Sequence, residues 1–164
     1  MSEPLAGPPS ATLERLISDE GMEFTPFSRA LNGIAWPVAS ARPGGSPHSI
    51  ADILGHMRFW QRRLLGLTAD GEPRPVGHAE EGWPHVEEAQ WNGLVDSYLA
   101  GLAELRAVAG DPALLARRVV EGRDTSVGYQ LTSHFAHEAH HLGQIILLRR
   151  MQGDWPPAGG GDTW

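Results

Sequence analysis

Four of the chain's eight histidines fall within eight residues near the C-terminus. They are His134, His137, His140 and His141. Apolar residues recur around them at intervals of three and four, and the paired arginines that precede Gly153 are typical of a helix end. This pattern predicts one long helix, which has to pack against other helices to bury its apolar face.

The inward face of this helix has an unusual composition. Each residue advances about 100° around a helix, so His137 and His141 project from one face one turn apart. His134 lies on the shoulder of that face, whereas His140 points about 60° to its other side. A stripe with so many polar members is a poor hydrophobic core, and it is a plausible lining for a site. Two imidazoles one turn apart can reach the same metal ion.

Composition narrows the chemistry. Its length of 164 residues favours one domain over residues 1–164, with loosely ordered termini at 1–9 and 154–164. The chain has no cysteine. Any metal must therefore take nitrogen and oxygen ligands. A formal net charge of -7 and the absence of a basic run argue against nucleic acid as a partner. The sequence contains no membrane-spanning apolar run and no signal-peptide pattern, so we expect a cytoplasmic protein.

The rest of the chain reads as helices separated by loops rich in glycine and proline, which predicts an all-α bundle. The first predicted helix runs from Ser10 to Leu31 and is interrupted near Gly21 and Pro26. The second begins at Ser46-Pro47 or at Ser49 and runs to about Leu67. A third helix from Val86 to Ala109 and a helical turn from Asp111 to Val119 follow.

A third metal ligand is sought among the remaining histidines. His48 lies at a helix start, and His78 and His85 lie in or beside a polar loop. His56 is different, because it lies in the middle of the second helix on the face that carries Ile53 and Trp60. His56, His137 and His141 would form a three-histidine site with an open coordination position, which is the catalytic pattern for zinc.

The segment from His137 to His141 also matches the zinc-protease motif H-E-x-x-H. That chemistry needs a third ligand from later in the chain, and the 23 residues after His141 contain neither His nor Glu. A metalloprotease is therefore disfavoured. Glu138 either solvates the helix surface or supports a neighbouring ligand.

Two segments together carry a resemblance to a known family. Ser49-Ile-Ala-Asp-Ile-Leu-Gly-His56 and His137-Glu-Ala-His-His141-Leu-Gly-Gln144 closely resemble the hallmark helices of the DinB/YfiT-like superfamily. The resemblance covers most of the chain. It implies an up-down four-helix bundle with one long crossover. It also implies that His56, His137 and His141 bind one divalent metal ion, usually nickel, zinc or iron.

The resemblance implies less about the reaction. Better understood relatives are metal-dependent transferases of low-molecular-weight thiols such as bacillithiol or mycothiol, so we expect a small-molecule S-transferase. Two alternatives stay open. One is a metal-dependent hydrolase, for which Asp52 is the obvious candidate base. The other is a non-catalytic metal-binding bundle, for instance a homodimer that binds an apolar ligand. The sequence assigns no step to His134 or His140, while Arg63 is a candidate for binding a substrate carboxylate or a surface salt-bridge partner.

Overall fold

The structure is a computed structural model that describes residues 8–18, 25–69, 76–120 and 124–160. Its regular secondary structure is helical apart from one short antiparallel hairpin, with three single 3-10 turns in the part described. The elements are α1 (Ser10–Ile17), α2 (Phe27–Leu31), α3 (Trp36–Ser40), α4 (Ile50–Thr68), α5 (Trp91–Ala109), α6 (Pro112–Ala116), β1 (Arg118–Val120), β2 (Asp124–Ser126) and α7 (Val127–Met151).

Helices α1, α4, α5 and α7 form the bundle, in which α4 lies between α5 and α7. Gln61 in α4 donates to the Tyr98 carbonyl in α5 at 3.0 Å, and the end of α4 at Thr68 accepts from Arg117, which follows α5 and α6. Helices α4 and α5 therefore run in the same direction, and parallel neighbours need a long connection, here residues 69–90. The predicted all-α bundle with a long crossover is confirmed.

A capping box fixes the start of α4. The Ser49 hydroxyl accepts from the Asp52 amide at 3.1 Å, and the Asp52 carboxylate accepts from the Ser49 amide at 2.8 Å. Arg42 adds a second donor to the same carboxylate at 2.9 Å. Of the two predicted starts, the one at Ser49 is confirmed, and the one at Ser46-Pro47 is wrong.

Helix α7 is the predicted histidine helix. The Ser126 hydroxyl caps its first turn by accepting from the Tyr129 amide, and the chain turns away at Gly153, whose φ is 70°. The buried Arg149 side chain donates to the Ala30 carbonyl and to Asp154, which ties the segment after the helix to the bundle.

The first helix is interrupted as expected: α1 ends at Ile17, and a separate helix begins at Phe27 directly after Pro26, which cannot continue a helix hydrogen-bond ladder; Gly21 lies outside the described residues. Two boundaries differ from the prediction. The third helix begins at Trp91 rather than at Val86, after a 3-10 turn. Helix α6 ends at Ala116, since the next residues pair as β1 with β2. Within the described residues, no helix is long and apolar enough to cross a membrane.

Candidate metal centre

Three imidazoles meet between α4 and α7. The Nε2 atom of His137 lies 3.1 Å from Nε2 of His56 and 3.0 Å from Nε2 of His141. His56 and His141 are buried, with 7% and 6% of their surface exposed, whereas His137 is half-buried. The structure therefore brings together the three histidines that the sequence selected. Their role as metal ligands stays a prediction.

The hydrogen bonds made by the Nδ1 atoms of His56 and His141 determine that the lone pairs of these rings lie on Nε2. Nδ1 of His56 lies 2.7 Å from the Gly82 carbonyl, which can only accept, so this nitrogen donates. Nδ1 of His141 lies 2.7 Å from Oε1 of Gln144 and donates in the same way. A neutral imidazole that carries its hydrogen on Nδ1 has its lone pair on Nε2. Two lone pairs thus point at the same place, and outer hydrogen bonds of this kind are typical of metal-binding histidines.

The spacing of the three nitrogens fits a divalent ion. A zinc–nitrogen bond of about 2.0–2.1 Å at tetrahedral angles places ligand nitrogens about 3.3 Å apart, and right angles place them about 2.9 Å apart. The observed separations of 3.0 and 3.1 Å fall at the short end of this range. Facing lone pairs repel each other unless a cation or a proton lies between them, so the donor set suits a metal ion.

Burial keeps two of these histidines in the form that can bind a metal ion. Desolvation is the main cause that lowers the pKa of His56 from 6.5 to about 4, and the nearby His141 and His137 contribute to the same shift. Desolvation also lowers the pKa of His141. Both rings are therefore neutral near pH 7, as coordination requires.

Glu138 lies inside the site and not at the helix surface. It is fully buried, so the prediction that it solvates the helix surface is wrong. Its Oε2 accepts a hydrogen bond from Tyr98, and its Oε1 lies 3.5 Å from Nε2 of His134 and 3.8 Å from Nδ1 of His137. Neither Oε1 nor Nε2 of His134 has a hydrogen-bond partner among the described atoms. A buried carboxylate behind a ligand is a suitable neighbour for a divalent cation on that ligand's other nitrogen.

Tyr98 donates to this carboxylate from α5. Burial raises the pKa of Tyr98 well above its usual value of 10, and the negative Glu138 raises it further. The phenol therefore stays protonated and keeps its hydrogen for Glu138.

The crossover supplies two site residues that the sequence did not predict. Gly82 accepts from His56, and the Trp83 ring stacks on His56 with centroids 3.9 Å apart. His48 stacks on the other face of Trp83, also at 3.9 Å. A Cβ atom on Gly82 would lie 3.3 Å from the Trp60 ring nitrogen, so the backbone approaches α4 closely here.

The other candidate side chains do not belong to the group of three nitrogens. His78 and His85 are exposed, and His140 is exposed beside Gln144. The Asp52 carboxylate, considered as a hydrolase base, accepts hydrogen bonds from the Ser49 amide at the start of α4 and from Arg42.

A cavity of about 460 Å³ opens beside the imidazoles, between α4 and α7. Its described lining is formed by His56, Trp60, Arg63, Leu64, Leu67, Gln130, Ser133, His134 and His137. Two of the three clustered histidines thus border a space that can admit a small molecule.

Comparison with curated proteins and with solved structures found no match to the chain. The sequence profile of the DinB superfamily matches residues 11–145, which include both hallmark helices with His56, His137 and His141. The match agrees with the bundle, its crossover and the buried histidine cluster, and we conclude that the chain belongs to the DinB superfamily.

Proposed function

We propose that this protein is a divalent-metal-dependent enzyme, and that it transfers a low-molecular-weight thiol to a small electrophile. The observation that carries the proposal is the convergence of three imidazole nitrogens beside a cavity of about 460 Å³. Three protein ligands leave a coordination position for a substrate atom, as in catalytic rather than structural sites.

The protein's own residues would hold and shape this centre. His56, His137 and His141 bring their Nε2 atoms close together, and Gly82 and Gln144 fix the orientation of two of the rings. A divalent ion bound there would supply Lewis acidity that lowers the pKa of a coordinated thiol. The apolar part of the cavity wall would limit the access of water to the reacting atoms.

The structure gives less support to the two alternatives. A hydrolase needs a base near the metal, and no carboxylate belongs to the described lining of the cavity. A closed structural site needs a fourth protein ligand, and His134, on the shoulder of the same helix face, is the candidate. Nε2 of His134 lies beside Glu138 instead, in a group that contains His137 but neither His56 nor His141.

The test uses metal-loaded protein with bacillithiol, mycothiol and a small model thiol, each paired with 1-chloro-2,4-dinitrobenzene. The sulfur forms a C–S bond as the C–Cl bond breaks, chloride leaves and the thiol proton is released, so product absorbance reports turnover. We expect thiol-dependent turnover that is lost in His56→Ala and retained in His78→Ala, which changes an exposed histidine. Equal rates in both variants, or no turnover with any thiol while p-nitrophenyl esters are hydrolysed, would overturn the proposal.

A further inference from the structure

A second group of metal-ligand side chains lies on α7, next to the three clustered imidazoles. It consists of His134, His137 and Glu138, whose candidate ligand atoms lie within 4.8 Å of one another. His137 belongs to both groups. Its Nε2 faces His56 and His141, whereas its Nδ1 faces the Glu138 carboxylate. Two histidines and one glutamate are a donor set that binds zinc in proteins, so this group is a candidate cation site of its own.

Two polar atoms of this group are buried without a hydrogen-bond partner among the described atoms. They are Nε2 of His134 and Oε1 of Glu138. Only 9% of the His134 surface is exposed, and Glu138 is fully buried. The hydrogen bond from Tyr98 goes to the other carboxylate oxygen, Oε2. Buried charged groups in proteins are normally paired or coordinate a metal ion, so the free oxygen and the free nitrogen both point to a missing cation.

The distances within the group fit a shared ion better than direct hydrogen bonds. Oε1 of Glu138 lies 3.5 Å from Nε2 of His134 and 3.8 Å from Nδ1 of His137. A hydrogen bond between such atoms is about 2.7–3.2 Å long. Zinc bonds of about 2.1 Å at trigonal angles place the donor atoms about 3.6 Å apart, which is close to both observed separations.

The cavity beside the imidazoles gives an ion a path to this group. Both His134 and His137 border the cavity of about 460 Å³, while Glu138 lies behind them in the bundle. A hydrated ion can therefore reach the two rings from the cavity before it meets the carboxylate. A buried metal site needs such an entry path.

We propose that Nε2 of His134, Oε1 of Glu138 and Nδ1 of His137 form a second site for a divalent cation such as zinc. When both sites are full, the His137 ring bridges two ions. The bridging ring gives up its Nδ1 hydrogen: the N–H bond breaks as the metal–nitrogen bond forms, and the proton passes to solvent. This proton loss and the repulsion between two cations make the second site weaker than the three-histidine site. The inference does not depend on thiol transfer.

Isothermal titration calorimetry of the tag-free protein with zinc counts the ions. We expect one tightly bound ion and a second, weaker ion that appears only in excess zinc and is removed by desalting. Glu138→Gln preserves the shape of the side chain and an acceptor for Tyr98, and His134→Gln removes the other ligand. Each variant should lose the second ion and keep the first, with folding checked by circular dichroism. His140→Gln, which changes an exposed histidine of the same helix, is the matched control and should keep both ions.

Three results would overturn the inference: a single ion in the wild type at saturating zinc, a second ion retained in both Glu138→Gln and His134→Gln, or a second ion lost in His140→Gln, which would place it at the surface. His56→Ala separates the two sites, because His56 belongs to the three-histidine group alone. In excess zinc this variant should lose the tight ion and keep the weaker one. Loss of both ions in His56→Ala would contradict a separate second site, whatever the outcome of the thiol-transfer assay.

Discussion

Tyr98→Phe tests the buried contact beside the candidate metal centre. The Tyr98 hydroxyl donates to Glu138, and both side chains are fully buried. The substitution leaves the shape of the ring almost unchanged and removes the donor, so the carboxylate loses a partner that water cannot replace. A hydrogen bond to a charged group contributes about 1.5–3 kcal/mol, and removal of one partner of a buried charge costs about 3–5 kcal/mol. We therefore expect the free energy of unfolding to fall by about 2–4 kcal/mol.

Urea denaturation of the metal-free protein, followed by circular dichroism, measures this change without a contribution from metal binding. Tyr129→Phe is the matched control, because Tyr129 is only half-buried, and its expected effect is within about 0.5 kcal/mol. A double-mutant cycle isolates the contact. In a Glu138→Leu background, Tyr98→Phe should cost less than about 1 kcal/mol. An equal cost in both backgrounds, or a cost below about 0.5 kcal/mol in the wild type, would refute this reasoning.

Three further predictions follow from the site and its supports. His56→Ala should abolish stoichiometric metal binding in equilibrium dialysis, whereas His78→Ala should leave it intact; equal loss in both would contradict the three-ligand arrangement. Burial lowers the pKa of His56 from 6.5 to about 4, so the unfolded chain binds more protons between these values. Denaturation of the metal-free protein should therefore show stability falling from pH 6.5 to 4, by about 3 kcal/mol from this residue, and His56→Asn should flatten the profile. Gly101→Ala would place a methyl group 2.2 Å from the buried Gln61 amide oxygen and should cost about 1–3 kcal/mol in thermal or urea unfolding. Gly93→Ala, in open space on the same helix, should instead stabilise by about 0.5–1 kcal/mol.

The bundle and the three clustered histidines could be predicted because their signals are local. Helical periodicity fixes which side chains share a face, so the spacing of His137 and His141 predicted their direction before any packing was known. The same argument selected His56 from the apolar face of α4. The capping box at Ser49 is equally local, since three residues specify both of its hydrogen bonds.

The residues that were missed depend on contacts between distant segments. Gly82 and Trp83 reach His56 only because the crossover folds back on α4, and no periodicity in a loop of 3-10 turns predicts that approach. Glu138 follows His134 by four residues, so helical spacing alone brings the two side chains side by side. Its burial could not be predicted, because the hydrogen-bond partner Tyr98 comes from another helix. A carboxylate for which the sequence shows no partner is expected to be exposed.

The β1–β2 hairpin was not predicted, because its strands are short and form only as a pair. Strands β1 and β2 contain three residues each, which is too short for an alternating pattern to stand out from the end of a helix. Pairing between Val119 and Thr125 depends on both strands being present together.

The metal content of the purified protein tests the central claim most directly. The protein should be purified without an affinity tag, supplied with nickel, zinc or manganese and desalted, and its metals counted by mass spectrometry beside His137→Ala. We predict about one divalent ion per chain in the wild type and a loss of this ion in the variant. No bound metal in either protein would mean that these histidines only line a polar cavity, and the proposed enzymatic function would have to be withdrawn.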